Sequence, residues 1–139
     1  MSKVNNKLLI EATLRAYGLK VTRPRVKILR LLLGHGSALS FPEIEKKIKR
    51  DPATVYGLLR TLELKGVIYK LYDHRRIIHF ALESPEHAGS LIRLHFNCTA
   101  CNQLYPLPQP QIELPMPEDF SAEKIEWCVF GECDACCRG

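Results

Sequence analysis

Residues 51–82, DPATVYGLLRTLELKGVIYKLYDHRRIIHFAL, constrain the fold more than any other part of the chain. Asp51-Pro52 reads as a helix N-cap and a first-turn proline. The carboxylate can accept from the orphan amides, and proline lacks a donor that the first helical position does not need. Val55, Leu58, Leu59 and Leu62 then fall at helical spacing and form one apolar stripe, and Gly66 ends the helix. Opposite the stripe lie Ala53, Gly57, Arg60 and Leu64, flanked by Thr54, Tyr56 and Thr61. Small residues at 53 and 57 let this face approach another surface closely, where Arg60, Tyr56 and Thr54 can hydrogen-bond. Two β-rich runs follow, 67–72 and 77–82, across the polar turn Asp73-His74-Arg75-Arg76. A capped helix and a hairpin with a basic tip is the pattern of a winged helix-turn-helix. An ordinary helix and hairpin in a small α+β domain is the alternative.

The preceding residues favour the first reading. A first helix is expected over about 6–17, with Leu8, Ala12, Arg15 and Ala16 along it and Gly18 as its stop. Thr22 caps a second helix with Pro24 in its first turn and Val26, Leu29, Leu32 and Leu33 inward; Gly34-His35-Gly36 breaks it. Ser40-Phe41-Pro42-Glu43 is a capping box, in which Ser caps forward and Glu reaches back. It opens a third helix over about 41–49, with Ile44 and Ile48 inward. The third and fourth helices then meet across the tight Arg50-Asp51 corner, a helix-turn-helix connection with the fourth as recognition helix.

Charge agrees. Residues 1–82 carry 17 Lys and Arg against 6 Asp and Glu, a balance of +11; residues 83–139 carry 3 against 9, a balance of −6. Such asymmetry points to a front half that binds a polyanion and a back half with another task. With 46% apolar and 25% charged residues, the composition is that of a globular protein. No apolar run is long enough to span a membrane, and the first residues lack the apolar core of a signal peptide, so a cytoplasmic protein is expected. Nothing suggests catalysis: there is no glycine-rich phosphate loop, and no serine has plausible histidine and acid partners.

All six cysteines follow residue 97, which favours a local metal site over a disulfide framework. Cys98-x-x-Cys101 and Cys133-x-x-Cys136 each have the spacing by which one turn presents two thiolates to one metal. Four thiolates at about 2.3 Å make a closed, structural zinc site, one zinc per chain. The segment around them is short and broken by Pro106, Pro108, Pro110, Pro115 and Pro117, which exclude a regular helix over 107–118. It cannot bury much core, and a metal cross-link supplies what it lacks. A redox Cys-x-x-Cys is the rival, but neither pair opens a helix in a βαβ setting. Cys137 could replace Cys136, though the spacing prefers Cys136. Cys128, in an apolar strand over about 124–130, is expected to be a buried small hydrophobe. Further strands are expected over 91–97 and 103–107.

At this point Gly18-Leu19-Lys20-Val21-Thr22-Arg23-Pro24-Arg25, Ala53-Thr54-Val55-Tyr56, Lys65-Gly66-Val67-Ile68, His95-Phe96-x-Cys98-x-x-Cys101 and Gly131-x-Cys133-x-x-Cys136, in that order, resemble the ferric uptake regulator family. The resemblance covers nearly the whole chain. It implies an α+β protein with an N-terminal winged helix-turn-helix over 1–82, a hinge over 83–90 and a small C-terminal α/β dimerisation domain over 91–139, stabilised by zinc. It further implies a homodimer that binds palindromic double-stranded DNA under metal-responsive control, as a repressor. The family's DNA-contacting Thr and Tyr fall on Thr54 and Tyr56. The next position, commonly Arg in the family, is Gly57, so that Arg60, one turn on, is the substitute. Arg25, Arg75 and Arg76 complete the candidate DNA contacts. The family's long dimerisation-domain helix is not visible, because 108–117 occupies its place.

His87 and His95 are the candidates for a second, regulatory metal, by resemblance to family members that use histidines there. The other expected ligand positions hold Arg93, Pro106, Ile125 and Ala81, with Glu83 and Glu86 close to the last as shifted candidates, and Arg93 brings positive charge close to His95. A degenerate regulatory site is therefore the expectation. His35, His74 and His79 read as surface, wing-tip and strand residues. A second class of function stays open: a zinc-ribbon interaction module whose basic half binds nucleic acid without sequence specificity.

Overall fold

A computed structural model describes residues 3–83, 92–108, 110–111 and 113–138. The chain divides into two compact units, Met1–Glu83 and Ser84–Gly139. The first opens with α1 (Lys3–Ala16), whose inward residues are Ile10 and Leu14, one turn apart. The expected stripe is wrong here, since Leu8 is 61% exposed and Ala12 and Arg15 face solvent. Three apolar residues in a row, Leu8-Leu9-Ile10, leave the register open, and packing decides it. Gly18, at φ 73°, turns the chain so that the Leu19 amide donates to the Leu14 carbonyl at 2.9 Å and Leu19 joins the core.

Helix α2 (Arg23–His35) starts at Thr22, whose hydroxyl accepts from the Arg25 amide. It buries Ile28, Leu29 and Leu32 and keeps Val26 and Leu33 partly buried. The helix runs through Gly34 and ends at Gly36, φ 75°. A two-residue strand, β1 (Leu39–Ser40), follows. Ser40 then closes the capping box of α3 (Phe41–Lys47): its hydroxyl accepts the Glu43 amide at 3.3 Å and its own amide donates to Glu43 at 3.2 Å. Ile48 leaves the helix in extended backbone, so α3 stops short of Lys49. Asp51 caps α4 (Pro52–Leu64), accepting the Thr54 amide at 3.0 Å and the Thr54 hydroxyl at 2.6 Å. Val55, Leu59 and Leu62 are fully buried.

Strands β2 (Ile68–Tyr72) and β3 (Ile78–Leu82) pair antiparallel as the hairpin, with β1 on the far edge of β3. Phe80, Ile68 and Val67 close the core over Ile44, Val55 and Leu59. Each such side chain contributes roughly 1.5–3 kcal/mol by leaving water. The unit is a winged helix-turn-helix with one added N-terminal helix.

The second unit is a three-stranded mixed sheet. Strand β4 (Ile92–Cys98) lies between β5 (Leu104–Pro106), antiparallel to it, and β6 (Ile125–Gly131), parallel to it. A short helix, α5 (Asp134–Arg138), ends the described chain. Between β5 and β6 the described residues form no helix, as their prolines require. Cys128 is exposed, against the expectation that it is buried. It stands on β6, an edge strand, and alternation in an edge strand does not guarantee cover.

Candidate metal centre and nucleic-acid interface

The two Cys-x-x-Cys turns meet because β4 and β6 run parallel and end together, with Cys98 opposite Gly131. The Thr99 amide and hydroxyl both donate to the Gly131 carbonyl, at 2.8 and 3.3 Å, and tie the first turn to the second. Gly131 sits against the Phe96 ring, 3.2 Å from where a Cβ would stand, so a larger residue would require the ring to give way. The sulfurs of Cys98, Cys101, Cys133 and Cys136 all lie within 4.8 Å of one another. Cys101 Sγ and Cys133 Sγ are 3.8 Å apart, which is about the edge of a tetrahedron with metal–sulfur bonds of about 2.3 Å. Cys137 points away and donates to the Glu132 carbonyl.

The backbone prepares these thiols for a cation. Amides of Cys101 and Cys133 donate to Cys98 Sγ at 3.4 and 3.3 Å, and they pull its titration down to about 6. The Cys136 amide does the same for Cys133, which is also lowered. Cys136 is pushed up, first by its hydrogen bond with Cys133 and then by those with Cys98 and Cys101, because a thiol that donates to its sulfur neighbours keeps its proton. A divalent ion takes the place of that proton and lets all four ionise. The donor set fits a tetrahedral thiolate-binding metal. Tyr105, on β5, also hydrogen-bonds Cys133, and that contact pushes its phenol up to about 12. The sequence reading missed Tyr105, since a tyrosine four residues beyond a cysteine carries no metal-ligand signal.

In the first unit, Thr54, Tyr56, Gly57 and Arg60 are all exposed on α4. The Tyr56 ring meets Phe41 edge-on, with centroids 6.1 Å apart, which fixes its direction. A Cβ at Gly57 would meet nothing within 4 Å. Arg25 is partly buried, and its Nη1 donates to the Lys20 carbonyl at 2.8 Å. At the wing tip Arg76 is exposed at φ 64°, while Arg75 pairs with Asp73 at 2.8 Å.

Asp73 and His79 are a second pair the sequence reading passed over. His79 is 2% exposed and its Nε2 lies 2.9 Å from Asp73, so it is more than an ordinary strand residue. The strand alternation held the signal: with Phe80 in the core, a buried polar neighbour needs a partner on the other face. His95 is buried on β4, opposite Pro106 on one side and Cys128 on the other. His87 lies outside the described residues. Among the described residues no other group of three or more His, Cys, Asp or Glu side chains comes together around one point.

A winged helix-turn-helix and a four-cysteine cluster in one chain define a class, the metal-binding transcription regulators with a DNA-binding domain. Comparison with known proteins identifies the group within it: the profile of the Ferric uptake regulator family matches residues 16–128, and the chain belongs to that family of metal-responsive transcription regulators. The ferric uptake regulation protein of Bordetella parapertussis is 28% identical over 141 residues, covering 93% of this chain and 97% of that protein. That of Neisseria meningitidis serogroup A is 29% identical over 119 residues, covering 81% and 76%. Among solved structures, the ferric uptake regulator from Francisella tularensis with iron superposes with a TM-score of 0.61 at 26% identity, covering 86% of this chain and 95% of that one. The Vibrio cholerae ferric uptake regulator gives 0.62 at 22% identity, covering 88% and 98%, a likeness of fold. No helix among the described residues is long and apolar enough to cross a membrane.

Proposed function

We propose that this chain is a cytoplasmic, zinc-stabilised homodimeric repressor that binds a palindromic operator, with residues 1–82 reading DNA, 83–90 as hinge and 91–139 as dimerisation domain. It acts by binding and not as an enzyme. The observation that carries the reading is the solvent face of α4. There Thr54, Tyr56 and Arg60 stand around Gly57, and nothing crowds that position. Thr54, Tyr56 and Arg60 supply base and phosphate contacts in the major groove, while Arg25, Arg75 and Arg76 hold phosphates. Zinc is the metal of the four cysteines, because a closed all-thiolate tetrahedron suits it.

The regulatory metal site is degenerate in this reading. His95 is buried on β4, in register with Pro106 and Cys128, and among the described residues it joins no group of three or more metal-ligating side chains, which a cation site needs. The test of DNA reading is affinity for a selected palindrome against random duplex at matched salt. Arg60→Ala is expected to weaken binding to the palindrome by about 1–3 kcal/mol and to leave random duplex nearly unaffected. Equal affinity of the native protein for both duplexes would leave a non-specific nucleic-acid binder in place of a regulator.

A further inference from the structure

The turn between β2 and β3 is built around one carboxylate. Oδ1 of Asp73 accepts the amides of Arg75 at 2.8 Å and Ile77 at 3.1 Å, which fixes the backbone of the tip. Oδ2 accepts Nη2 of Arg75 at 2.8 Å and its Nε at 3.3 Å, and meets Nε2 of His79 at 2.9 Å. The Asp73 side chain has 0% exposure, whereas that of Arg75 keeps 43%. A carboxylate only accepts, so Nε2 of His79 carries a proton toward it. Nδ1 of His79 is buried without a hydrogen-bond partner, so the ring's polar anchorage in this site is Asp73 itself.

A guanidinium has five N–H donors in a planar fork. Asp73 takes Nε–H and one Nη2–H; the remaining edge, with Nη1, is left over on a side chain that stays 43% exposed. An exposed arginine ordinarily loses much rotamer freedom on gripping a phosphate. Here the buried carboxylate has already restricted it. We infer that Asp73 is a positioning residue of the DNA interface: supported from beneath by His79, it holds Arg75 with one edge fixed and the other presented to a backbone phosphate. The inference rests on the reading that α4 and the wing bind DNA. It separates the two wing arginines, Arg75 acting as a braced contact and Arg76 as a mobile one.

The experiment is a double-mutant cycle on the full-length, zinc-loaded protein with the selected palindromic duplex, repeated over a range of salt. Arg75→Ala is expected to weaken binding about tenfold and to lower the salt slope by about one. Asp73→Asn is expected to weaken it by a similar factor in the native background. In the Arg75→Ala background it should cost little more, because its effect passes through Arg75. Asp73→Asn losses that are equal in both backgrounds would overturn the inference and leave Asp73 a fold residue.

Arg75→Lys guards against a wing that fails to form, since it changes only a half-exposed side chain. An ammonium lacks the rigid planar fork that presents one edge to Asp73 and the other to a phosphate, so this variant should bind nearly as weakly as Arg75→Ala. Full binding by Arg75→Lys would show that charge alone matters and would also overturn the inference. Arg60→Ala on the same duplex reports on the underlying reading. If it weakens binding while the Asp73 and Arg75 variants do not, the wing inference alone fails; if native protein binds no selected duplex, both fail.

Discussion

Asp73 gives up all its solvent contact and replaces it with five hydrogen bonds, from two amides, two nitrogens of Arg75 and the ring of His79. Burial pushes its carboxyl up, but the bonds from His79, Arg75 and the two amides outweigh burial and hold it well below the usual carboxylate range. A folded value below the unfolded one means a contribution that is complete above about pH 4, where a free aspartate is ionised, and lost as pH falls toward the depressed folded value. Protection of the Arg75 and Ile77 amides from hydrogen exchange, taken relative to the free-peptide rate, should therefore hold through mild acid and fall only in strong acid. In Asp73→Asn, whose side-chain oxygen can still accept both amides, protection should remain but lack that acid step. An acid step of the same size in the variant would assign it to another group. At this scale the sequence was legible where chemistry is local. The four clustered cysteines announce themselves by spacing, whereas Asp73–His79 and Tyr105–Cys133 depend on strands brought together by the fold. Cys128 misled because apolar neighbours in a strand say nothing about whether that strand lies at an edge.

Among the elements, the helices with strong caps were readable to within a residue or two, because Thr22, Ser40 and Asp51 satisfy amides only three positions away. The short strand β1 and helix α5 were not foreseen; the first exists through pairing with β3, which no local pattern encodes. Helix α4 carries an internal glycine at an exposed position with ordinary helical φ and open space around it. An alanine there fits without strain and stabilises a helix by about 1 kcal/mol. Folding alone thus gives no reason for Gly57, whereas close approach to DNA does. Gly57→Ala is expected to raise stability by about that amount in denaturant unfolding and to weaken binding to the palindrome. Higher stability with unchanged DNA affinity would mean that the helix does not approach DNA closely at residue 57.

For the whole molecule, the +11 and −6 balances of residues 1–82 and 83–139 separate the two tasks, polyanion binding in front and metal in the cysteine-rich rear. If the regulatory site is degenerate, protein carrying about one zinc per four-cysteine site should take up no second tight equivalent of zinc, iron(II) or manganese that alters DNA affinity. A second equivalent that switches affinity about tenfold and disappears in His95→Ala would restore an ordinary metal sensor. The joining of the two Cys-x-x-Cys turns has a further consequence, and it lies in the denatured chain. Cys101 and Cys133, 32 positions apart, become the ends of a closed loop once one metal holds both. By the chain-entropy relation for cross-links, a ring of that length costs the unfolded ensemble roughly 4 kcal/mol of freedom, and the prolines inside it have already stiffened it. A metal held there thus acts as a removable disulfide: for as long as it stays bound, it leaves the disordered C-terminal unit fewer shapes to escape into.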